Sequence, residues 1–135
     1  MIVVDTGVLA YLLVPGKRTF QAKTVLHRDP EWRAPLLWRS EFRNLLFLYM
    51  RQKLLTREQA LGLTDQAEQL LRGREYLVSS SSVLSLATQS TCSASDCEYV
   101  ALAQNLSATM VTTDSDVLSS FPHIAVSLDH FAGSS

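Results

Sequence analysis

Ile2-Val3-Val4-Asp5-Thr6 near one end of the chain, and Thr109-Met110-Val111-Thr112-Thr113-Asp114 towards the other, decide how the sequence is read. Each is a short β-branched and apolar run that stops at an acid. A run of this kind, without polar residues alternating through it, reads as a strand buried on both faces, and such strands belong to parallel sheets covered by helices. In open parallel sheets ligands gather at the carboxyl ends of the strands. An aspartate just past a strand is therefore a candidate site residue, and equally a candidate cap for the helix that follows. Asp5 and Asp114 fit both descriptions.

Working outward, Thr6 opens a short helix through Leu13 that Pro15-Gly16 breaks, and a second helix runs from about Thr19 to His27 until Asp29-Pro30. Ala34-Pro35 reads as a brief extended link, and Leu37 to Arg51 as a long helix. Thr56-x-x-Gln59 is a capping box that starts a helix towards Leu71. Glu75 to Val78 reads as a strand, Ser79 to Ser82 as a loop, and Val83 to Ser90 as a helix. Ser95-Asp96-Cys97-Glu98 opens the next helix, with Ser95 and Glu98 as its capping box. Ile124 to Ser127 is the last expected strand, followed by a flexible tail at about 129–135. Strands alternating with helices predict an α/β fold: a short, mostly parallel central sheet flanked by helices on both faces, in one domain spanning 1–135.

The 135 residues are 47% apolar, enough for one sizeable core. Apolar stretches such as Leu45 to Met50 fall well short of the roughly 20 residues that span a bilayer. Met1 leads straight into a strand without a charged leader, so a soluble, cytoplasmic protein with no membrane association is expected. Cys92 and Cys97 are too few for a disulfide framework and lack further ligands for zinc, which suits packed thiols in a reducing compartment. His27, His123 and His130 form no ligand or triad spacing. All twelve Lys and Arg lie at or before Arg74, against seven acids there, an excess of five positive charges; the remainder carries six acids and no Lys or Arg. A basic half attracts a phosphate backbone, and an acidic cluster in the other half attracts cations.

Glu41 is the most informative single residue. Leu37, Glu41, Leu45 and Leu48 recur at near-helical spacing, which puts the carboxylate in or beside a core-facing stripe with no cation three or four positions away. An unpaired buried carboxylate costs several kcal/mol or shifts its pKa, so a bound metal is a sensible partner. Asp96 sits in a first helical turn, where the dipole and free N–H groups keep a carboxylate ionised. Two strand ends, one helix start and one helix interior thus offer four carboxylates that only a fold can gather. Hard oxygen ligands without Cys or His suit Mg²⁺ or Mn²⁺ rather than zinc. Two such ions roughly 3.5–4 Å apart activate water for an in-line phosphoryl displacement without a protein nucleophile.

Ile2-Val3-Val4-Asp5-Thr6, Trp38-Arg39-Ser40-Glu41-Phe42-Arg43-Asn44, Ser95-Asp96-Cys97-Glu98-Tyr99-Val100-Ala101-Leu102-Ala103 and Val111-Thr112-Thr113-Asp114, taken in this order, resemble the PIN-domain family over essentially the whole chain. The small size resembles the VapC toxins of type II toxin–antitoxin pairs. This resemblance implies a PIN-like fold, Mg²⁺-dependent endoribonuclease activity, homodimerisation and inhibition by a cognate antitoxin. It assigns catalysis and metal binding to Asp5, Glu41, Asp96 and Asp114, with Asp116 as an auxiliary ligand and Thr6 and Thr112 as orienting hydroxyls. For the RNA backbone, charge nominates Lys17 and Arg18 in the loop after the first helix, and Arg39 and Arg43 on the Glu41 helix.

Two other classes compete. An aspartyl-phosphate phosphohydrolase would carry a second acid two positions after Asp5, where Gly7 stands. A non-catalytic RNA- or protein-binding module would have no use for four like charges that destabilise a fold without their cation.

Overall fold

The computed structural model describes residues 1–133. Five strands, β1 (Ile2–Val4), β2 (Trp32–Pro35), β3 (Glu75–Tyr76), β4 (Thr109–Thr112) and β5 (Ala125–Ser127), form one sheet in the order β3-β2-β1-β4-β5. Every pairing is parallel. Ile2, Val3 and Val4 are all buried although successive side chains point to opposite faces, so both faces of the central strand are covered.

The helices are α1 (Thr6–Leu13), α2 (Thr19–Arg28), α3 (Leu37–Arg51), α4 (Arg57–Leu70), α5 (Ser80–Thr88), α6 (Ala94–Leu106), α7 (Ser115–Ser120) and α8 (Leu128–Ala132). The α6 helix lies across β1, β2 and β4. It buries Cys97, Tyr99, Val100, Ala101, Leu102 and Ala103, and its alanines permit close approach to the strands. Trp38 and Phe42 of α3 are fully buried with ring centroids 5.9 Å apart. Cys92 and Cys97 are free, buried thiols, as expected. Among the described residues no helix is long and apolar enough to cross a membrane.

Four boundaries differ from the sequence reading. Ala34-Pro35 belongs to a strand that begins at Trp32 rather than to a link. Ser79 is not in a loop ahead of the fifth helix but caps it, accepting from the Ser82 N–H at 3.2 Å. The α6 cap is Ser93, which accepts from the Asp96 N–H at 3.1 Å, so Ser95 and Glu98 are not the capping pair. Where a tail from 129 was expected, Leu128–Ala132 form α8, capped by Ser127 and packed on α2; residues 134 and 135 lie outside the described residues. By contrast, the Thr56–Gln59 capping box forms as read.

The sheet order fixes where chemistry can sit. From β1 the chain first adds β2 and β3 on one side, and then returns to place β4 and β5 on the other. The carboxyl ends of β1 and β4 therefore flank the topological switch point, where adjacent connections depart in opposite directions and leave a crevice. Val4 pairs with Val111, which sets Asp5 beside Thr112.

Candidate functional site

Asp5 is both cap and site residue. Its Oδ1 accepts from the Val8 N–H at 3.0 Å, closing the first turn of α1, while its Oδ2 accepts from the Thr112 hydroxyl. Thr112 is fully buried, and its Oγ accepts in turn from the Asp114 N–H at 3.0 Å. Asp114 repeats the capping pattern one strand over, with Oδ1 accepting from the Val117 N–H at 3.0 Å. Thr112 thus orients Asp5 directly and receives the Asp114 backbone N–H.

Glu41 reaches the same place from α3. Its Oε1 accepts from the Thr6 hydroxyl at 3.0 Å and from the Tyr99 hydroxyl at 2.5 Å. The two hydroxyls are themselves 2.7 Å apart, closing a triangle between α1, α3 and α6. Burial, and then the bond to Glu41, hold the Tyr99 phenol well above its ordinary pKa, so it remains a donor. Tyr99 was not singled out from the sequence, although it lies one helical turn after Asp96 and so on the same side of α6.

Electrostatics tie the acids together. Burial pushes the Asp5 carboxyl above its ordinary pKa; the Thr112 and Val8 hydrogen bonds oppose this, and the charges of Asp114 and Asp96 reinforce it. Burial and then the charge of Glu41 raise the half-buried Glu98 above its ordinary pKa. Among the described residues no Lys or Arg forms an ion pair with Asp5, Glu41, Asp96, Asp114 or Asp116. Asp116 is exposed in the first turn of α7 and makes no side-chain hydrogen bond to the others.

The expected backbone-binding cations divide. Residues two apart on a helix differ by about 200° around its axis, so Arg39 and Arg43 face away from the side that carries Glu41. Arg39 donates to Glu75 at 2.6 and 2.8 Å and to Glu68 at 3.1 Å. Arg43 is exposed and lines an apolar notch with Phe47, Met50, Arg57 and Leu61. Lys17 and Arg18 border a concavity of about 320 Å³ with Tyr11 and Tyr49, and the Arg18 guanidinium lies 5.5 Å from the Tyr11 ring centroid. A wider groove of about 750 Å³ lies between α1, α2 and α4, lined by Leu12, Leu26 and Leu70 among others, and none of the acids lines it.

Neither a protein-family model nor a curated protein matches the sequence. Solved structures do match the fold. FitAcB from Neisseria gonorrhoeae superimposes with a TM-score of 0.76 at 19% identity, over 96% of this chain and 99% of that one. The chain has the PIN-like fold. FitAB bound to an IR36 DNA fragment matches with a TM-score of 0.71 at 20% identity, over 95% of each chain. A toxin–antitoxin complex from Klebsiella pneumoniae matches at 0.67 and 17%, over 95% of this chain and 98% of that one. In this fold Asp5, Thr112 and Asp114 form one hydrogen-bonded group at the switch point and Thr6, Glu41 and Tyr99 a second, joined through the Asp5–Thr6 peptide bond, and the charge of Asp96 acts on Asp5.

The donor set is chemically suited to a hard divalent cation. Glu41 Oε2, Asp114 Oδ2 and both side-chain oxygens of Asp96 accept no hydrogen bond among the described residues. As the side chains stand, no three His, Cys, Asp or Glu among the described residues are gathered tightly enough to grip one ion together.

Proposed function

We propose that this chain is a divalent-cation-dependent endoribonuclease that acts as the toxin of a toxin–antitoxin pair. The observation that carries the reading is the set of four acids from the ends of β1 and β4 and from α3 and α6, none paired with a Lys or Arg among the described residues, with Asp5 held by the Thr112 hydroxyl and Glu41 by those of Thr6 and Tyr99. Like charges so arranged are stabilised by a cation that draws them inward. The fold neighbours support the biological part, because one of them is described as a toxin–antitoxin complex. Homodimerisation belongs to the same proposal through the family resemblance.

Bound Mg²⁺ or Mn²⁺ supplies a water of lowered pKa and neutralises charge on the phosphate. The protein's own contribution is orientation. Thr112 holds Asp5, the Val117 N–H of α7 holds Asp114, and Thr6 with Tyr99 holds Glu41, so the carboxylates meet the phosphate with few rotamers left to freeze. Lys17 and Arg18 follow the far end of α1, opposite the end that carries Asp5, and line a concavity with Tyr11 and Tyr49 where they hold the RNA backbone away from the cut.

Two tests follow. The purified protein cleaves members of an RNA panel in Mg²⁺ or Mn²⁺ and not in EDTA, and an equimolar co-encoded partner abolishes that cleavage. Cation-independent RNA binding without cleavage of any member would favour the binding module instead. For the backbone contacts, the Lys17→Ala/Arg18→Ala double variant binds every RNA of the panel about tenfold more weakly. Its log K against log salt slope is shallower by about 1.4, two phosphate contacts at roughly 0.7 each on single strands. An unchanged slope would remove Lys17 and Arg18 from the RNA path.

A further inference from the structure

The concavity bordered by Lys17 and Arg18 holds more than two cations. Tyr11 of α1 and Tyr49 of α3 line it, Ala10 and Gly16 add little bulk, and no acid lines it. Its volume of about 320 Å³ suits a single small unit rather than a helix or a strand pair. Both tyrosines are half-buried and rest on the core, yet neither hydroxyl makes a hydrogen bond among the described residues. Arg18 stands 5.5 Å from the Tyr11 ring centroid, whereas no cation or second ring lies against Tyr49 among the described residues. Neither Lys17 nor Arg18 forms an ion pair with an acid among them. The concavity also lies along the same two helices as the acids. The Thr6 hydroxyl donates to Glu41 at 3.0 Å early in α1 and α3, and Tyr11 and Tyr49 meet at one concavity further along both.

We propose that this concavity takes one unpaired RNA base, stacked on Tyr49, with the adjoining phosphate held by Lys17 and Arg18. The proposal rests on the nuclease reading above and adds the feature by which an RNA is held away from the cut. Every base has a π-face, so an open aromatic ring accepts any of them, and the cations beside it meet the phosphate that the base carries with it. Tyr49 is the open ring of the pair. Arg18, already beside Tyr11, is the cation whose place is set by the wall it leans on. A base within a duplex is stacked on both faces and cannot enter, so the RNA must offer a loop, a bulge or an end. Tyr49 is therefore a residue that selects among RNAs by their unpaired bases.

The test starts from a member of the RNA panel that the wild-type protein cuts. Each unpaired base near the cut is replaced in turn by 5-iodouridine, the complex is irradiated, and mass spectrometry identifies the crosslinked residue. One position is expected to crosslink to Tyr49, a result that needs no variant to fold. Binding is then measured in EDTA, and again in Mg²⁺ on the Asp5→Asn background, so that the RNA stays whole. An abasic site at the crosslinked position weakens binding about tenfold, within the roughly 5–150-fold that loss of one base–aromatic stack produces. Tyr49→Leu weakens binding of the intact RNA by the same factor and adds nothing on the abasic one, while Tyr49→Phe, which keeps the ring, binds as wild type. Because a stack carries no charge, the log K against log salt slope stays the same in all three, unlike that of the Lys17→Ala/Arg18→Ala variant. Crosslinks confined to residues outside the concavity, or a folded Tyr49→Leu that still loses about tenfold on the abasic RNA, would overturn the base site and leave the nuclease reading intact. A wild type that cuts no RNA of the panel would overturn both.

Discussion

If the proposed nuclease activity holds, Asp5→Asn is expected to lower RNA cleavage by about 10²–10³-fold, the scale for loss of one charge that acts on the reacting centre, while melting no lower than wild type. The second half of this result comes from burial. Asp5 has its carboxyl pushed above the ordinary range by desolvation and by the charges of Asp114 and Asp96. A carboxyl whose folded pKa is raised favours the folded state most at pH values below its unfolded pKa, and that contribution is lost as pH rises through the folded pKa. At neutral pH the ionised Asp5 therefore opposes folding, and the neutral amide relieves the penalty. Asn retains an oxygen to accept from the Val8 N–H, so the α1 cap survives, and its amide nitrogen donates to the Thr112 oxygen in place of the bond that Oδ2 accepts in wild type. Thermal melts at several pH values check the sign: wild type gains on the variant as pH falls. Mg²⁺ raises the melting temperature of wild type and not of the variant, because only a state that binds the ion is stabilised by it. A variant that cuts at the wild-type rate, or that melts far below it, contradicts this account of Asp5.

Glu75→Ala destabilises the fold by about 2 kcal/mol, the scale of hydrogen bonds made to a charged group. Glu75 lies on the edge strand β3 and gathers three donors from α3: Arg39 Nε at 2.6 Å, an Arg39 terminal nitrogen at 2.8 Å and Trp38 Nε1 at 2.7 Å. A two-residue strand contributes little ladder of its own, so this node fastens the sheet edge to the helix that carries Glu41. Its removal leaves the Trp38 N–H without its acceptor and Arg39 with Glu68 only. The acid response follows the opposite sign from Asp5. Arg39 holds the Glu75 carboxyl below its ordinary pKa, so this stabilisation is present above the unfolded pKa and is lost as pH falls through the folded one. Urea melts at neutral pH and below the ordinary carboxylate range should show a wild-type advantage that vanishes at the acid end. A difference that persists there would mean that packing, not the ion pair, carries the effect. Because Glu75 makes no hydrogen bond to Glu41, Thr6 or Tyr99 among the described residues, cation affinity of the folded variant is expected to stay within a fewfold of wild type.

Most of the fold was readable because its signals are local and strong. The β-branched runs before Asp5 and Asp114 mark two neighbouring strands of the sheet, and Pro15-Gly16 and Asp29-Pro30 punctuate the helices. The strand at Trp32–Pro35 was read only as a link because Arg33 interrupts it and Pro35 suggests an end rather than a ladder. The α6 boundary was ambiguous in principle: Ser93-x-x-Asp96 and Ser95-x-x-Glu98 both have capping spacing, and tertiary packing chose the first. Five residues of α8 are too few to display a helical period.

The site was legible in its acids and not in its supports. Asp5 and Asp114 are announced by strand ends; the stripe that includes Glu41 is not the core face of α3, which is Trp38, Phe42 and Leu46, while Leu37, Glu41 and Leu45 are half-buried and Leu48 is exposed. The Thr112 link to Asp5 spans 107 positions and depends on the β1–β4 register, and the Tyr99 link to Glu41 depends on how two helices meet above the switch point. Tyr99 resembled core because it is core; only its hydroxyl belongs to the site. Arg39 and Arg43 were nominated by proximity in sequence to Glu41, and helix geometry turns that proximity into opposite faces.

The central claim is that acids from four separate elements form one cation site at the β1–β4 switch point. Paramagnetic broadening of assigned amide resonances by substoichiometric Mn²⁺ tests it most directly. The account predicts broadening centred on Asp5, Thr6, Glu41, Asp96 and Asp114, reversed by excess Mg²⁺ and absent in Asp5→Asn. Broadening centred on any other group of acids, such as Asp65 and Glu68, with the switch-point amides left sharp, would contradict it.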